Sequence, residues 1–183
     1  MYDVVVIGGG PGGYAAAIRA SQLKGKVALV EGGNMGGTCV MRGCIPSKIW
    51  LRAATLLEQS HKAAEFGLEL TVGKLDYTAV LARKQGVSND IRMGMEDLLA
   101  NNGVDVIPGM AVVTSPTSVD VAGKKIEAKN IIIATGSTLA KPDVPGLDQA
   151  AFTTDQLLDM EKAPASVLIT DPTYIGVEMA TLL

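Results

Sequence analysis

Cysteine, histidine and aromatic residues are scarce in this 183-residue chain, which has two cysteines, one histidine, one tryptophan and 4% aromatics. Two cysteines with one distant histidine, His61, make a poor zinc site. Charge of one sign is also scarce: 16 basic residues face 19 acidic ones, a net charge of −3. That balance lacks the basic surplus a nucleic-acid partner demands. No apolar run approaches the roughly 18 residues needed to span a bilayer. The first hydrophobic run, Val4-Val5-Val6-Ile7, starts without the basic and apolar segments of a secretion signal. The expected location is therefore the cytoplasm, with neither membrane nor nucleic acid as partner. Hydrophobic residues at 48% exclude a disordered chain. At about 150 residues per domain, the length predicts one domain and a remainder of about thirty.

Glycine is in surplus, at 21 of 183 residues, against a usual share near ~7%. It follows no three-residue period, which excludes collagen. Much of it punctuates a β-α-β opening: a strand from Asp3 to Ile7, the turn Gly8-Gly9-Gly10-Pro11-Gly12-Gly13, a small-residue helix from Tyr14 to Ala20, and a strand Lys26–Val30 ending at Glu31. Continuous apolar strands imply a parallel sheet covered on both faces. An irregular stretch then leads to a helix near Pro46–Glu65, with Gly67 as its stop. A second helical pattern follows the N-cap Asp76, with Tyr77, Val80, Leu81, Val87, Ile91, Met95, Leu98 and Leu99 as its buried face; Gly86 and Gly94 weaken its continuity. Short β segments fill Val104–Lys129, with turns at Pro108-Gly109 and Gly123-Lys124. A buried strand Asn130–Ala134 follows, then a linker Lys141–Gly146. A further buried strand, Ser166–Thr170, precedes a helix start at Tyr174. The expected class is α/β: a Rossmann-like domain with helices on both faces and a small β excursion over residues 1–148, then a linker and the first β-α segment of a second such domain over 149–183.

Gly8-x-Gly10-x-x-Gly13 follows a strand and opens a helix, the context that the dinucleotide fingerprint requires. Gly8 permits the tight turn, Gly10 lets a pyrophosphate approach the backbone, and Gly13 lets helix and strand pack closely. Pro11 opens the helix without wasting an N–H, and Gly12 and Gly13 present amides at its positive end. Glu31, 23 residues beyond Gly8, can accept both ribose hydroxyls of an adenosine. The spacing alone does not separate FAD from NAD. Cys39 and Cys44, five positions apart, read by themselves either as redox or metal residues or as small buried apolar ones.

Gly36-Gly37-Thr38-Cys39-Val40-Met41-Arg42-Gly43-Cys44-Ile45-Pro46-Ser47-Lys48 resembles the redox motif of the FAD-dependent pyridine nucleotide–disulfide oxidoreductases. Ile45-Pro46-Ser47-Lys48 is most similar to their dihydrolipoamide dehydrogenase branch, with mercuric and glutathione reductases as neighbours. The fingerprint before it and Ala134-Thr135-Gly136-Ser137 after it keep the family's order. The resemblance implies a redox disulfide between Cys39, which exchanges with substrate, and Cys44, which faces the flavin. A helix N-terminus favours the developing thiolate. The resemblance also implies Gly37, Thr38, Met110, Ala111, Ala134, Thr135 and Gly136 as FAD contacts, with Gly37 and Thr38 on the flavin side and Met110 and Ala111 meeting the adenine through backbone. Lys48 would lie near the reactive flavin nitrogen, with Glu178 as its partner. Tyr174 would shield the nicotinamide pocket. Trp50, Met93 and Met95 read as core, and His61 as surface. The implied function is electron transfer between a dithiol or lipoyl-group substrate, the disulfide, FAD and NAD. The implied assembly is a homodimer. A glutathione- or mercuric-reductase-like enzyme and a flavin- or ADP-binding module without catalysis are the alternatives.

Two departures stand out. Where the family shows a second glycine fingerprint, this chain has Asp171-Pro172-Thr173, retaining Gly176. A carboxylate about 4–5 Å from a pyrophosphate costs on the order of 3–4 kcal/mol at an effective dielectric near 20. NAD, expected for the family, is therefore not expected to bind there in the usual way. The family's C-terminal His-Glu base also has no counterpart, and His61 cannot replace it, so these residues alone are expected not to complete turnover.

Overall fold

In a computed structural model of the chain, residues 1–140 and 143–183 are described. They divide into two compact units: 1–41 with 88–140, and 42–87 with 143–183. Lys141 and Pro142 of the expected linker lie outside the described residues.

The first unit is built on a six-stranded sheet. Its strands are β1 (Tyr2–Ile7), β2 (Val27–Glu31), β3 (Asp105–Pro108), β4 (Ala111–Ser115), β5 (Ser118–Val121) and β6 (Lys124–Ile133), in the order β3-β2-β1-β6-β5-β4. The first four in that order run parallel, with Val5 beside both Ala28 and Ile131. The last three form an antiparallel meander. Its β5–β6 hairpin closes through Ala122 (φ 52°) and Gly123 (φ 81°), the two left-handed residues of a type I′ turn.

Alternation along β1 divides the core. Val4 and Val6 pack with Val27, Leu29, Ala17 of α1 (Pro11–Gln22), and Leu99 and Met95 of α4 (Tyr77–Asn101). Val5 and Ile7 pack with Ala28, Val30 and the meander residues Val119, Val121, Ile126 and Ala128. Helices thus cover one face, and the β excursion covers the face on which further helices were expected. The α/β class holds. The Asn130–Ala134 segment was read as buried, but it is the end of the longer β6, and Ile133 is 69% exposed. Ladder pairing with β1 satisfies its backbone but covers no side-chain face.

The stretch read as irregular contains α2 (Gly37–Met41), which precedes α3 (Cys44–Lys62). A 3₁₀ turn, Ala63–Phe66, follows α3 and stops at the left-handed Gly67. α4 is continuous through Gly86 and Gly94. Asp76 Oδ1 accepts the amides of Thr78 and Ala79 at its start. At its end, Gly103 N–H reaches Ala100 O, and Val104 N–H reaches Leu99 O, a Schellman stop. Its buried stripe differs from the apolar reading: Lys84 and Ser88 are buried, while Leu98 is exposed. Ser88 Oγ donates to Val40 O (2.9 Å), and Lys84 Nζ donates to Leu158 O and pairs with Asp159. Polar groups on that stripe are tolerated because each has a partner.

The core of the second unit gathers Trp50, Leu157, Leu158 and Met179, with Tyr77, Val80 and Leu81 against it. Trp50 Nε1 donates to Leu158 O at 2.9 Å. Short helices α5 (Leu147–Ala150) and α6 (Thr154–Leu158) precede α7 (Tyr174–Leu182), and a Thr153/Gln156 capping box opens α6. The buried strand expected at Ser166–Thr170 is absent: these residues form no ladder and are exposed. A strand needs a neighbour for its N–H and C=O groups, and the described residues of this unit contain no strand.

A Cβ on Gly13 would stand 1.7 Å from Gly8 O, whereas one on Gly86 would meet nothing within 4 Å. Gly13→Ala is expected to cost on the order of 3 kcal/mol. Gly86→Ala is expected to gain about 0.5–1 kcal/mol. Urea midpoints of the two variants against the parent chain check both signs.

Candidate functional site

In the first unit, the turn between β1 and α1 is shaped by close backbone approach. Gly8 has φ 105°, and a Cβ there would lie 2.2 Å from Ala134 O. Gly10 is the N-cap and Pro11 the first helical residue; no side chain caps the helix and its first turn holds no acid. A Cβ on Gly10 would meet only Gly37 Cα at 3.8 Å, and one on Gly12 nothing within 4 Å. Protein packing therefore explains Gly8 and Gly13 but leaves open space above Gly10 and Gly12. Uncapped amides beside that space at a helix N-terminus suit an anion.

The remaining candidate residues of this unit border the same strand ends. Glu31 Oε2 accepts Gly9 N–H at 2.5 Å, and Oε1 accepts Gly33 N–H at 2.6 Å. A carboxylate offers about four acceptor positions, so capacity for sugar hydroxyls remains. Gly36 N–H donates to Gly9 O (2.9 Å), tying the loop after β2 to the turn. Gly37 (φ 57°) opens α2, and a Cβ there would lie 2.8 Å from Gly10 Cα. Thr38 is exposed and Cys39 is half-buried on that helix. Met110 is exposed beside Gly32, and Gly109 N–H donates to Glu31 O at 2.9 Å. Ala134 N–H donates to Ile7 O at 2.8 Å, placing Ala134 and Thr135 against Gly8; Gly136 follows with φ 73°.

In the second unit, Cys44 is the first residue of α3, preceded by the N-cap Gly43, and is exposed. Lys48 lies one turn further along. Its Nζ donates to Glu178 Oε1 of α7 at 2.7 Å. The buried Ser47 places its hydroxyl 3.3 Å from the same oxygen and 3.4 Å from Cys44 O. The hydrogen bond to Glu178, the attraction of its charge, and a smaller attraction from Cys44 hold Lys48 above its ordinary 10.5. The Lys48 side chain is 67% exposed, so the pair contributes little to stability; what it does is hold an ammonium beside Cys44. Ser47 was not singled out from sequence, although it sits inside the motif three residues after Cys44. Tyr174 is 81% exposed, His61 is exposed on α3, and Trp50 is core.

The second turn, before α7, keeps one feature of the first. A Cβ on Gly176 would lie 1.9 Å from Asp171 O, as one on Gly13 would crowd Gly8 O. Its polar groups differ. Asp171 Oδ1 accepts Thr173 N–H and Oδ2 accepts Thr173 Oγ1–H, both at 2.9 Å. Thr173 Oγ1 accepts Ile175 N–H at 3.3 Å. The amide of Thr173 first, then its hydroxyl, hold the Asp171 carboxyl below the usual carboxylate range.

The model of the pyridine nucleotide-disulphide oxidoreductases matches residues 2–183. The chain belongs to that family. It is 40% identical to a dihydrolipoyl dehydrogenase of Acholeplasma laidlawii, covering 99% of this chain and 56% of the relative. It is 33% identical to a mercuric reductase of Lysinibacillus sphaericus, covering 99% and 34%. Among solved structures, the HOCl-induced flavoprotein disulfide reductase RclA from Escherichia coli superposes with a TM-score of 0.83 at 30% identity, covering 99% of this chain and 39% of that one. The chain thus spans between about a third and just over half of these relatives' lengths.

FAD is the cofactor of this oxidoreductase family. The space at Gly10 and Gly12, the uncapped α1 amides and Glu31 fit its ADP half. The Asp171–Gly176 turn does not fit a second dinucleotide, because side-chain oxygens already use its amides.

The raised pKa of Lys48 gives a signed expectation. The pair's contribution is fully present below 10.5 and fades as pH rises through the higher folded value. An NMR titration of Lys48 is expected to show a midpoint above 10.5 in the parent chain and a lower one in Glu178→Gln. Equal midpoints would show that the pair does not form in solution.

Proposed function

We propose that this chain forms the FAD-binding, disulfide-carrying part of a dithiol/disulfide oxidoreductase of the dihydrolipoyl dehydrogenase kind. Residues 1–148 are read as the FAD-binding part, and 149–183 as a linker and the opening of a second nucleotide domain. The carrying observation is the second-unit cluster, in which Cys44 opens α3 and the Lys48 ammonium, held by Glu178, faces it one turn on.

The chemistry follows thiol–disulfide exchange. One thiolate of a substrate dithiol attacks Cys39 Sγ; the Cys39–Cys44 bond breaks and Cys44 leaves as thiolate. The substrate's second thiol then attacks the mixed disulfide and releases Cys39. Two electrons have passed to the protein pair, and the substrate leaves as a disulfide. The α3 N-terminus and the Lys48 ammonium stabilise the charge left on Cys44. Ser47 and Glu178 orient Lys48. FAD, when bound, supplies a two-electron acceptor. Its ADP half would rest on Gly8, Gly10, Pro11, Gly12, Gly13 and Glu31. Gly37, Thr38, Met110, Ala111, Ala134, Thr135 and Gly136 would border it, and Cys44 and Lys48 would serve its reactive end.

The substrate is read as a lipoyl group or another small dithiol, the location as cytoplasmic, and the assembly as a homodimer. In isolation these residues are read as lacking turnover. Similarity to a mercuric reductase supports a second reading, in which electrons run outward to another acceptor.

The test is spectroscopic. The FAD-loaded chain, reduced with one equivalent of dithionite, is expected to gain a long-wavelength absorbance band from a thiolate against the flavin. Cys39→Ser is expected to keep the band and Cys44→Ser to lose it. The opposite pattern, or protein that retains no FAD, would overturn the assignment.

A further inference from the structure

The turns that open α1 and α7 share a backbone path and differ in what fills them. In both, a carbonyl lies under a glycine five residues on: Gly8 O under Gly13, and Asp171 O under Gly176. Each glycine is irreplaceable for the same reason, since a Cβ would fall within 2 Å of that oxygen. The α1 turn has glycine at its N-cap and no side-chain cap on the helix; the one amide taken by a side chain among those described is that of Gly9, ahead of the N-cap, which Glu31 accepts. The α7 turn has Thr173 as its N-cap, and Thr173 Oγ1 accepts Ile175 N–H. Asp171 takes both donors of Thr173, the amide with one oxygen and the hydroxyl with the other.

We infer that the α7 turn is a nucleotide-binding turn closed from within, with the Asp171 carboxylate and the Thr173 hydroxyl standing where the pyrophosphate of a nicotinamide dinucleotide would rest. Closure is confined to two side chains. The glycine that lets the helix pack against the preceding backbone is intact, and the start of α7 is helical. A phosphate approaching these amides would have to displace the Asp171 carboxylate from Thr173 N–H and the Thr173 hydroxyl from Ile175 N–H, while meeting the like charge of Asp171. Pro172 between the two residues adds no amide that a phosphate could use instead. The chain therefore does not take NAD or NADP at this turn. Replacing the two side chains by glycine opens it.

The test uses the full 183-residue chain saturated with FAD, so that added nucleotide cannot occupy the α1 turn. ADP-ribose and NADH are titrated while the backbone amide resonances of Thr173, Ile175 and Gly176 are followed. FAD retention is read separately from flavin absorbance, so loss of the flavin reading and loss of this inference are distinguishable. The parent chain is expected to show no saturable shift at these amides. Asp171→Gly/Thr173→Gly is expected to show one, with affinity gained by at least about tenfold, equivalent to 1.4 kcal/mol. Asp171→Asn keeps the turn's acceptor but removes its charge, and is expected to gain less than the double variant but more than the parent. It serves as the reading if the double glycine variant does not fold, as judged by Trp50 fluorescence. Micromolar, saturable binding at these amides in the parent chain overturns the inference. So does an opened variant that folds and responds no better than the parent.

Discussion

The contact between Gly8 O and the bare Cα of Gly13 is the constraint on which the first unit depends. It lets α1 descend directly onto the strand that precedes it, and so sets where the helix's positive end points. Everything around the turn is fastened to it by backbone hydrogen bonds: Gly9 N–H to Glu31, Gly36 N–H to Gly9 O, and Ala134 N–H to Ile7 O. The ends of β1, β2 and β6 and the loop into α2 are thereby held against one glycine turn. An anion site of this kind needs no charged side chain, because aligned amides supply the field.

The same contact recurs at Gly176 with the opposite consequence. A shared backbone path is a matter of sterics and survives as long as the last glycine does. Ligand capacity is a matter of which oxygens reach the amides first. At the start of α1 no side chain caps the helix, and Glu31 takes only the Gly9 amide ahead of it, whereas at the start of α7 Asp171 and Thr173 take the amides of Thr173 and Ile175. One chain thus holds an open and a filled version of one structural device. Between them in sequence lies the cysteine-lysine segment. Its charged pair is too exposed to contribute much to stability, and what it does in the structure is hold an ammonium one turn from Cys44.

Much of the backbone around the candidate site was legible in the sequence. Glycine spacing after an apolar strand specifies a turn by steric exclusion alone, and Glu31 at the next strand's end follows from the same β-α-β unit. The start and stop of α4 at Asp76 and Gly103 were also readable, because capping is local. Three features were not. The buried stripe of α4 was read from hydrophobicity, which missed Lys84 and Ser88, since a polar side chain enters a core only where a distant partner waits for it. The Ser166–Thr170 run has strand composition, yet a strand is a relation between two segments, and composition reports only one. The cover on the Val5/Ile7 face was expected to be helical, and the meander supplies it through strands joined by a two-residue turn.

The sequence by itself determined the backbone devices of this protein, because glycine, proline and capping residues act on φ and ψ within a few positions. It also determined membership of a family, through a cysteine motif too long to arise by composition. Tertiary structure decided which polar groups meet: Lys48 with Glu178, Ser47 beneath the same oxygen, and Lys84 with Asp159. It also decided which strands are real. Those outcomes depend on residues as many as 131 positions apart, and folding brings them within hydrogen-bond reach with no trace in local sequence.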